Sequence, residues 1–290
     1  MVLGASASGV RAMTSSSSPG ISLKSEGVSY MAGSDLPGVI VNVQRGGPGL
    51  GGIQPSQSDY WQATKSLGHG DFQILVFAPN SVQEIIDLTV KAFDTSDKYR
   101  VPAMIFMDGL LGQMMEPITF PELKHTKFDK SWACNGHGNR RKHNIINSLY
   151  LQADQLESIV LDRYKRYETI KQELHMAESY LTDDADIVVV AYGATSRIVK
   201  SAVVKARSNG LKVGMFRPIT LWPFPVQEIN RAVENCKSVL CVEMSTGQMI
   251  DDVKLAINCS KPVHFFGRTG GVVPTPMEVL SKIVELGGAN

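Results

Sequence analysis

Val39-Ile40-Val41-Asn42-Val43-Gln44-Arg45-Gly46-Gly47-Pro48-Gly49-Leu50-Gly51-Gly52 is the stretch on which the fold turns. Its first five residues are a short apolar run of strand length, and a glycine-rich loop follows at once. Two further runs of the same kind, Phe72 to Ala78 and Ala103 to Met107, lie downstream. Between them Val82 to Tyr99 reads as a helix, with Val82, Ile85, Ile86, Val90 and Phe93 on one face. Ser81 followed by Glu84 makes a capping box at its start. Strands that alternate with helices predict a parallel sheet covered on both faces.

Working outward, the pattern dissolves between Pro121 and Asn147 into Lys, His, Asn and Gly. Gly136-His137-Gly138-Asn139-Arg140-Arg141-Lys142-His143 reads as a solvated connecting arm. From Asp154 to Leu181 apolar residues recur at three- and four-residue spacing, which predicts one long bridging helix. Asp162 and Arg166 stand at i,i+4 for an ion pair on it. A second unit begins at Ile187. Its strands are expected at Ile187 to Val190, Lys212 to Phe216, Val239 to Glu243 and Val263 to Phe266. Its helices are expected near Ser196 to Asn209, Pro225 to Cys236 and Gly247 to Ile257. Asn209-Gly210 reads as a helix stop, and Thr275-Pro276 as a cap followed by a first-turn proline. The expected organisation is α/β: residues 1–120 one parallel-sheet domain, 121–184 a linker arm and helix, 185–290 a second parallel-sheet domain.

Bulk properties narrow the function classes. The chain has 290 residues, 43% hydrophobic and 20% charged, with a formal net charge of +1. That balance offers no basic field for nucleic acid, and no apolar run reaches the ~18 residues of a membrane span. Cys134, Cys236, Cys241 and Cys259 stand far apart, without the paired spacing of a cluster or zinc site. A reducing cytoplasm fits them. Met1 to Gly20 is rich in Ser and Ala and lacks acidic residues, as a transit peptide would be. Chain that reads as folded follows it without a break, which favours an untargeted, cytoplasmic protein.

Four segments carry candidate chemistry. Arg45 and the glycines after it stand where an open parallel sheet binds ligands, beyond a strand's carboxyl end. Gly46 and Gly47 let the backbone approach a ligand, and one guanidinium there can grip a carboxylate in two parallel hydrogen bonds. Spacing alone leaves a flexible loop with a surface arginine equally open. The loop is no P-loop, having no Gly-Lys-Ser or Gly-Lys-Thr, and it does not match the dinucleotide fingerprint. Thr14 to Ile21, with Ser17, Ser18, Pro19 and Gly20, offers hydroxyls and backbone N–H groups before a Pro-Gly turn. A serine-rich linker is its plainer reading. His69, in Gly68-His69-Gly70-Asp71, is a general-base candidate, although a lone loop histidine is more often structural. Asp108-Gly109 with Asn135 downstream imitates the Gly-Asp-Gly and paired-Asn signature for Mg²⁺ and diphosphate. Met107 and Gly136 occupy two of the required positions, so that reading is rejected.

These residues resemble a known family. Met13 to Lys24, the Asn42 to Gly51 block, Ile53-Gln54-Pro55-Ser56-Gln57-Ser58-Asp59-Tyr60, Gly68 to Asp71, Asp108 to Pro117 and Gly210 to Pro225 are similar to the α subunit of 2-oxoacid:ferredoxin oxidoreductases. The Gly49-Leu50-Gly51-Gly52-Ile53-Gln54-Pro55-Ser56-Gln57 wording resembles the branched-chain (2-oxoisovalerate) members more than the 2-oxoglutarate members. The resemblance implies a pyrimidine-type thiamine-diphosphate domain and a transketolase-C-like domain. It implies oxidative decarboxylation of a 2-oxoacid to acyl-coenzyme A with electrons passing to ferredoxin. By the same resemblance a β subunit carries the diphosphate site, Mg²⁺ and a 4Fe-4S cluster. A small ferredoxin-like subunit and a γ subunit complete the assembly, expected as a dimer of heteromers. Arg45 aligns with the arginine that approaches the substrate carboxylate, and Ser18-Pro19-Gly20 with the loop beside the pyrimidine. The family has some fifty to sixty residues before the equivalent of Met1, with the glutamate that protonates the cofactor among them. Without them the isolated chain is expected to be inactive. Rival readings are a 2-oxoglutarate- or pyruvate-specific member, a lipoamide-linked thiamine enzyme, and a truncated paralogue that only docks a β subunit.

Overall fold

A computed structural model describes residues 1–65, 67–122 and 126–287. In chain order the elements of the first part are α1 (Val2–Ala7), β1 (Met13–Ser16), α2 (Ser18–Gly33), β2 (Gly38–Gln44), α3 (Tyr60–Thr64), β3 (Leu75–Phe77), α4 (Val82–Tyr99), β4 (Pro102–Asp108) and α5 (Gly109–Gly112). An irregular arm leads to α6 (Ala153–Glu173). After it come β5 (Ala177–Tyr180), β6 (Ile187–Val190), α7 (Gly193–Ser208), β7 (Val213–Pro218), β8 (Thr220–Trp222), α8 (Val226–Val233), β9 (Ser238–Glu243), α9 (Met249–Ala256), β10 (Val263–Gly267) and α10 (Pro276–Gly287).

Two five-stranded sheets result, ordered β1-β2-β4-β3-β8 and β10-β9-β6-β7-β5. Each is parallel except for one antiparallel edge strand, β8 against β3 and β5 against β7. The central strands are continuous apolar runs because helices cover both faces, and β2, β4, β6 and β7 are buried almost throughout. β8 comes from the later half of the chain yet pairs with β3 in the first sheet, so the sheets are stitched together.

Helix α4 begins and ends where its apolar stripe and cap predict. Ser81 Oγ accepts from Glu84 N at 3.1 Å. The return half of the box differs, because Glu84 Oε2 accepts from Asn80 N and both carboxylate oxygens also accept from Arg217.

Three expectations are corrected. The helix predicted to run to Leu181 stops at Glu173, and Ala177–Tyr180 instead forms β5. Apolar spacing over Leu174 to Leu181 fits a helix or a strand, and pairing with Met215 to Pro218 decides for the strand. The Asp162–Arg166 pair is not made: Asp162 accepts from Lys165, and Arg166 reaches Asp35. The strand expected from Phe72 shortens to Leu75–Phe77, because only that piece pairs with β4.

One hydrophobic core runs through both halves. Tyr60, Phe106 and Tyr192 meet there, with ring centroids 5.7 Å apart for Tyr60–Tyr192 and 6.2 Å for Phe106–Tyr192. Each is at most 1% exposed, so together they hold the halves by several kcal/mol, at ~1.5–3 kcal/mol per large buried side chain. Burial pushes the phenols of Tyr60 and Tyr192 well above their ordinary pKa.

Candidate functional site

The carboxyl end of β2 is tied to the start of α2. Ser18 Oγ accepts from Arg45 N at 3.1 Å and lies 3.3 Å from Arg45 O, to which it can donate. Ser17 is the N-cap residue of α2, but its hydroxyl makes no cap bond. It accepts from Arg45 Nε at 3.3 Å instead. Pro19 and Gly20 therefore sit in the first turn of a sixteen-residue helix and not in a Pro-Gly turn, which corrects the loop expected there. A first-turn proline loses nothing, since its missing N–H would have had no partner within the helix.

Arg45 also props the glycine loop. Its Nη1 donates to Leu50 O at 2.6 Å and to Gly52 O at 2.9 Å. Gly46 N bonds Gln54 O, and Gly52 N bonds Gly46 O. Gly51 has φ +56°, and a Cβ there would stand 2.0 Å from Gly46 O, so no other residue fits. With Nε and Nη1 engaged, only Nη2 has no hydrogen-bond partner among the described residues. The two-pronged carboxylate grip expected of Arg45 would need the loop to release it. As folded, it offers one nitrogen.

The later half supplies the facing wall. A cavity of about 560 Å³ lies between the loop after β2 and the loops after β9 and β10. Ser18, Pro19, Gly46 and Gly47 line it from one side, and Thr246, Gln248 and Thr269 from the other. Asp59 is the one ionisable side chain among the residues that line it. Asn42 Nδ2 donates to Asp59 Oδ2 at 3.1 Å, and Asp59 N donates to Gln44 Oε1 at 3.2 Å. Asn42 and Gln44 are buried on β2, and their other amide atoms, Oδ1 and Nε2, have no protein partner.

Pattern reading had missed Gln57. It is fully buried and its side chain makes three bonds to the later half. Nε2 donates to Tyr192 O, while Oε1 accepts from Thr195 Oγ1 and Met244 N. Its one available signal was its place inside a Pro-Ser-Gln-Ser-Asp stretch that no local structure requires.

His69 is not brought to this cavity. Its carbonyl accepts from Ser29 Oγ at 2.6 Å. Ser29 lies eleven residues along α2 from Ser18, about 16 Å at ~1.5 Å per residue. The imidazole lines a separate cavity of about 400 Å³ with Tyr30 and Tyr150. Asp108 caps α5: its carboxylate accepts from Leu110 N and Leu111 N. Burial raises its pKa, and the surrounding backbone N–H groups partly offset the rise. Its Oδ1 is thus already engaged by backbone. Among the described residues no group of three or more His, Cys, Asp or Glu could hold a metal ion. No described helix is long and apolar enough to cross a membrane.

Comparison with known proteins adds the following. Residues 1–173 match the family described as pyruvate flavodoxin/ferredoxin oxidoreductase, thiamine diphosphate-binding. Residues 185–279 match pyruvate:ferredoxin oxidoreductase core domain II. The ketoisovalerate oxidoreductase subunit VorB of Methanothermobacter marburgensis is 48% identical over 290 residues, spanning 99% of this chain and 82% of VorB. The 2-oxoglutarate synthase subunit KorA of the same organism is 36% identical over 319 residues, spanning 98% and 83%. A solved 2-oxoglutarate:ferredoxin oxidoreductase from Magnetococcus marinus, with 2-oxoglutarate, coenzyme A and succinyl-CoA bound, superimposes with a TM-score of 0.82 at 25% identity. That match takes in 98% of this chain and 54% of the other. A split-gene transketolase, at 13% identity and a TM-score of 0.60, shares the fold.

Proposed function

The chain belongs to the thiamine-diphosphate-dependent 2-oxoacid:ferredoxin oxidoreductases as an α-type subunit, and on that premise we propose that it forms the substrate-side wall of an active site which another subunit completes. The reaction is the oxidative decarboxylation of a branched-chain 2-oxoacid, 2-oxoisovalerate, to its acyl-coenzyme A, with the electrons leaving to ferredoxin. The observation that carries this reading is the cavity at the carboxyl ends of the strands. There a glycine loop and a helix start converge, and the partly free guanidinium of Arg45 stands beside them, bonded to the loop's own carbonyls.

The residues present fit one end of thiamine diphosphate and not the other. Hydroxyls of Ser18 and Ser22 and the backbone of Gly46 and Gly47 suit a polar ring. The diphosphate and its Mg²⁺ need several anionic oxygen ligands and cations together, and the one carboxylate lining this cavity is Asp59, already held by Asn42. The family resemblance assigns the metal end, and the 4Fe-4S clusters, to a β subunit and a small ferredoxin-like subunit. A γ subunit completes the heteromer. When bound, the cofactor supplies the carbon nucleophile that takes up the electrons left as CO₂ departs. Arg45 Nη2 orients the substrate carboxylate. The propped glycine loop keeps water from one side, and water exclusion strengthens every charge interaction inside.

Substrate choice rests on two supports. Identity to the ketoisovalerate relative exceeds that to the 2-oxoglutarate relative, 48% against 36%. No lysine or arginine stands among the residues lining the cavity to take up a second carboxylate. The test is dye reduction by the chain assembled with its partner subunits, in the presence of coenzyme A. 2-Oxoisovalerate should exceed 2-oxoglutarate in kcat/KM by roughly 10²-fold, the scale of an unpaired charge in a closed site. Preference for 2-oxoglutarate or pyruvate would overturn the substrate, and no reduction with any 2-oxoacid would overturn the activity.

A further inference from the structure

Gln248 occupies the N-cap position of α9, yet its side chain makes no cap bond. The capping is done from elsewhere. Glu243, fully buried at the end of β9, accepts from Met249 N at 3.0 Å and Ile250 N at 3.1 Å, and from Gln248 N. A carboxylate is well placed at a helix start, where N–H groups and the helix dipole favour negative charge. Ser245 Oγ donates to the same carboxylate and accepts from Gly247 N, which fixes the turn that carries Gln248.

Relieved of capping, the Gln248 amide reaches across to the first half. Its Nε2 donates to Ser58 O at 2.8 Å and its Oε1 accepts from Trp61 N at 2.9 Å. The amide thus behaves as a peptide group would, pairing with one carbonyl and one N–H of a distant backbone. Asp59 lies between those two bonds. Its carboxylate faces the cavity, held on the other side by Asn42.

We propose that Gln248 is a positioning residue of this site, whose amide latches the Ser58–Trp61 backbone to the later half and so sets where Asp59 stands in the cavity. The inference rests on the functional reading above. It goes beyond it in naming a residue that acts through another and in linking the seating of the two halves to the geometry of the site. Both amide bonds cross the boundary between the halves, so any shift of one half against the other moves Asp59.

The test uses two variants of the full chain, Gln248→Met, which keeps length and loses both bonds, and Gln248→Glu, which keeps the acceptor for Trp61. In the free chain, amide hydrogen exchange at Trp61 should speed at least about tenfold in Gln248→Met and stay near wild type in Gln248→Glu. The thermal midpoint should hardly move. In the assembled complex Gln248→Met should lower kcat roughly tenfold with little change in KM, since displacement of a site group slows chemistry more than binding. Unchanged exchange at Trp61 would overturn the latch. Faster exchange with unchanged kcat would overturn its role in the reaction. Faster exchange across the whole chain with a lowered midpoint would make Gln248 merely structural. If the wild-type complex turns over no 2-oxoacid, the functional reading fails by itself, and the exchange data alone decide the latch.

Discussion

Arg45 and Arg217 hold matching places in the two sheets and do opposite things. Arg45 follows the last residue of β2, and Arg217 is next to last in β7. Arg217 is nearly buried, and all three of its nitrogens meet carboxylates. Nη1 and Nη2 grip Glu84 at 2.8 Å each, and Nε meets Glu178 at 2.9 Å. It clamps α4 and β5 onto β7. Arg45 meets only neutral oxygens, the carbonyls of Leu50 and Gly52 and the hydroxyl of Ser17, and keeps one nitrogen. A guanidinium whose charge is neutralised within the fold serves the fold. One that is held in place by neutral acceptors keeps its charge for a ligand.

The largest effect expected from this contrast is on stability. Arg217→Met should cost about 3 kcal/mol in a denaturant titration, because a nearly buried guanidinium gives up three charge-assisted hydrogen bonds, although Glu84 keeps Asn80 N and Glu178 keeps Lys200. A loss under about 1 kcal/mol would erase the distinction.

Arg45→Ala should act on turnover instead. In the assembled complex kcat/KM for the 2-oxoacid should fall roughly 10²-fold, about 2.7 kcal/mol of transition-state stabilisation. Stability should drop by only about 1 kcal/mol, the scale of loop hydrogen bonds. Arg45→Lys should recover little, since an ammonium cannot hold three acceptors in one plane and still face a ligand. If Arg45→Ala unfolds the chain as readily as Arg217→Met does while kcat/KM holds, both arginines are structural.

The smallest effect is in pH dependence. Burial alone would raise the Glu178 pKa, but Lys200 and Arg217 together bring it below the ordinary value of 4.5. A carboxylate with a depressed folded pKa contributes stability above its unfolded pKa and loses it as pH falls through the folded one. Stability should therefore decline as pH drops below about 4.5, measured by thermal midpoints across that range. Arg217→Met should flatten the decline. Arg45→Ala should leave it unchanged, because the partners of Arg45 do not titrate. An equal flattening by both variants would break the contrast.

The contrast also marks how far pattern reading reaches. Helix α4 runs from Val82 to Tyr99 as its stripe and cap predict, because the signals for starting and covering a helix lie within four residues of each other. The family resemblance was likewise legible in long stretches such as Asn42 to Gly51. Beyond Glu173 local spacing misled: Leu174 to Leu181 satisfies helix and strand alike, and the choice fell to a pairing partner some forty residues away. Both arginines are visible in the sequence, but only one was singled out, because nothing near Arg217 says that Glu84 and Glu178 will close on it.

By itself the order of residues determined the strands β2, β4, β6, β7, β9 and β10 and helices such as α4, that the central strands among them are buried, and that the loop at Arg45 opens from a strand's carboxyl end. These are consequences of short-range sterics, capping and hydrophobic periodicity, all readable within a few residues. Tertiary structure alone decided that β8 would leave its own half to pair with β3, that His69 would lie along α2 away from Arg45, and that Gln57 and Gln248 would join the halves. The partners of those two amides are 135 to 190 residues distant in the chain. A side-chain amide carries no periodicity and no charge to announce a partner, so its role exists only once folding has brought the two backbones within 3 Å.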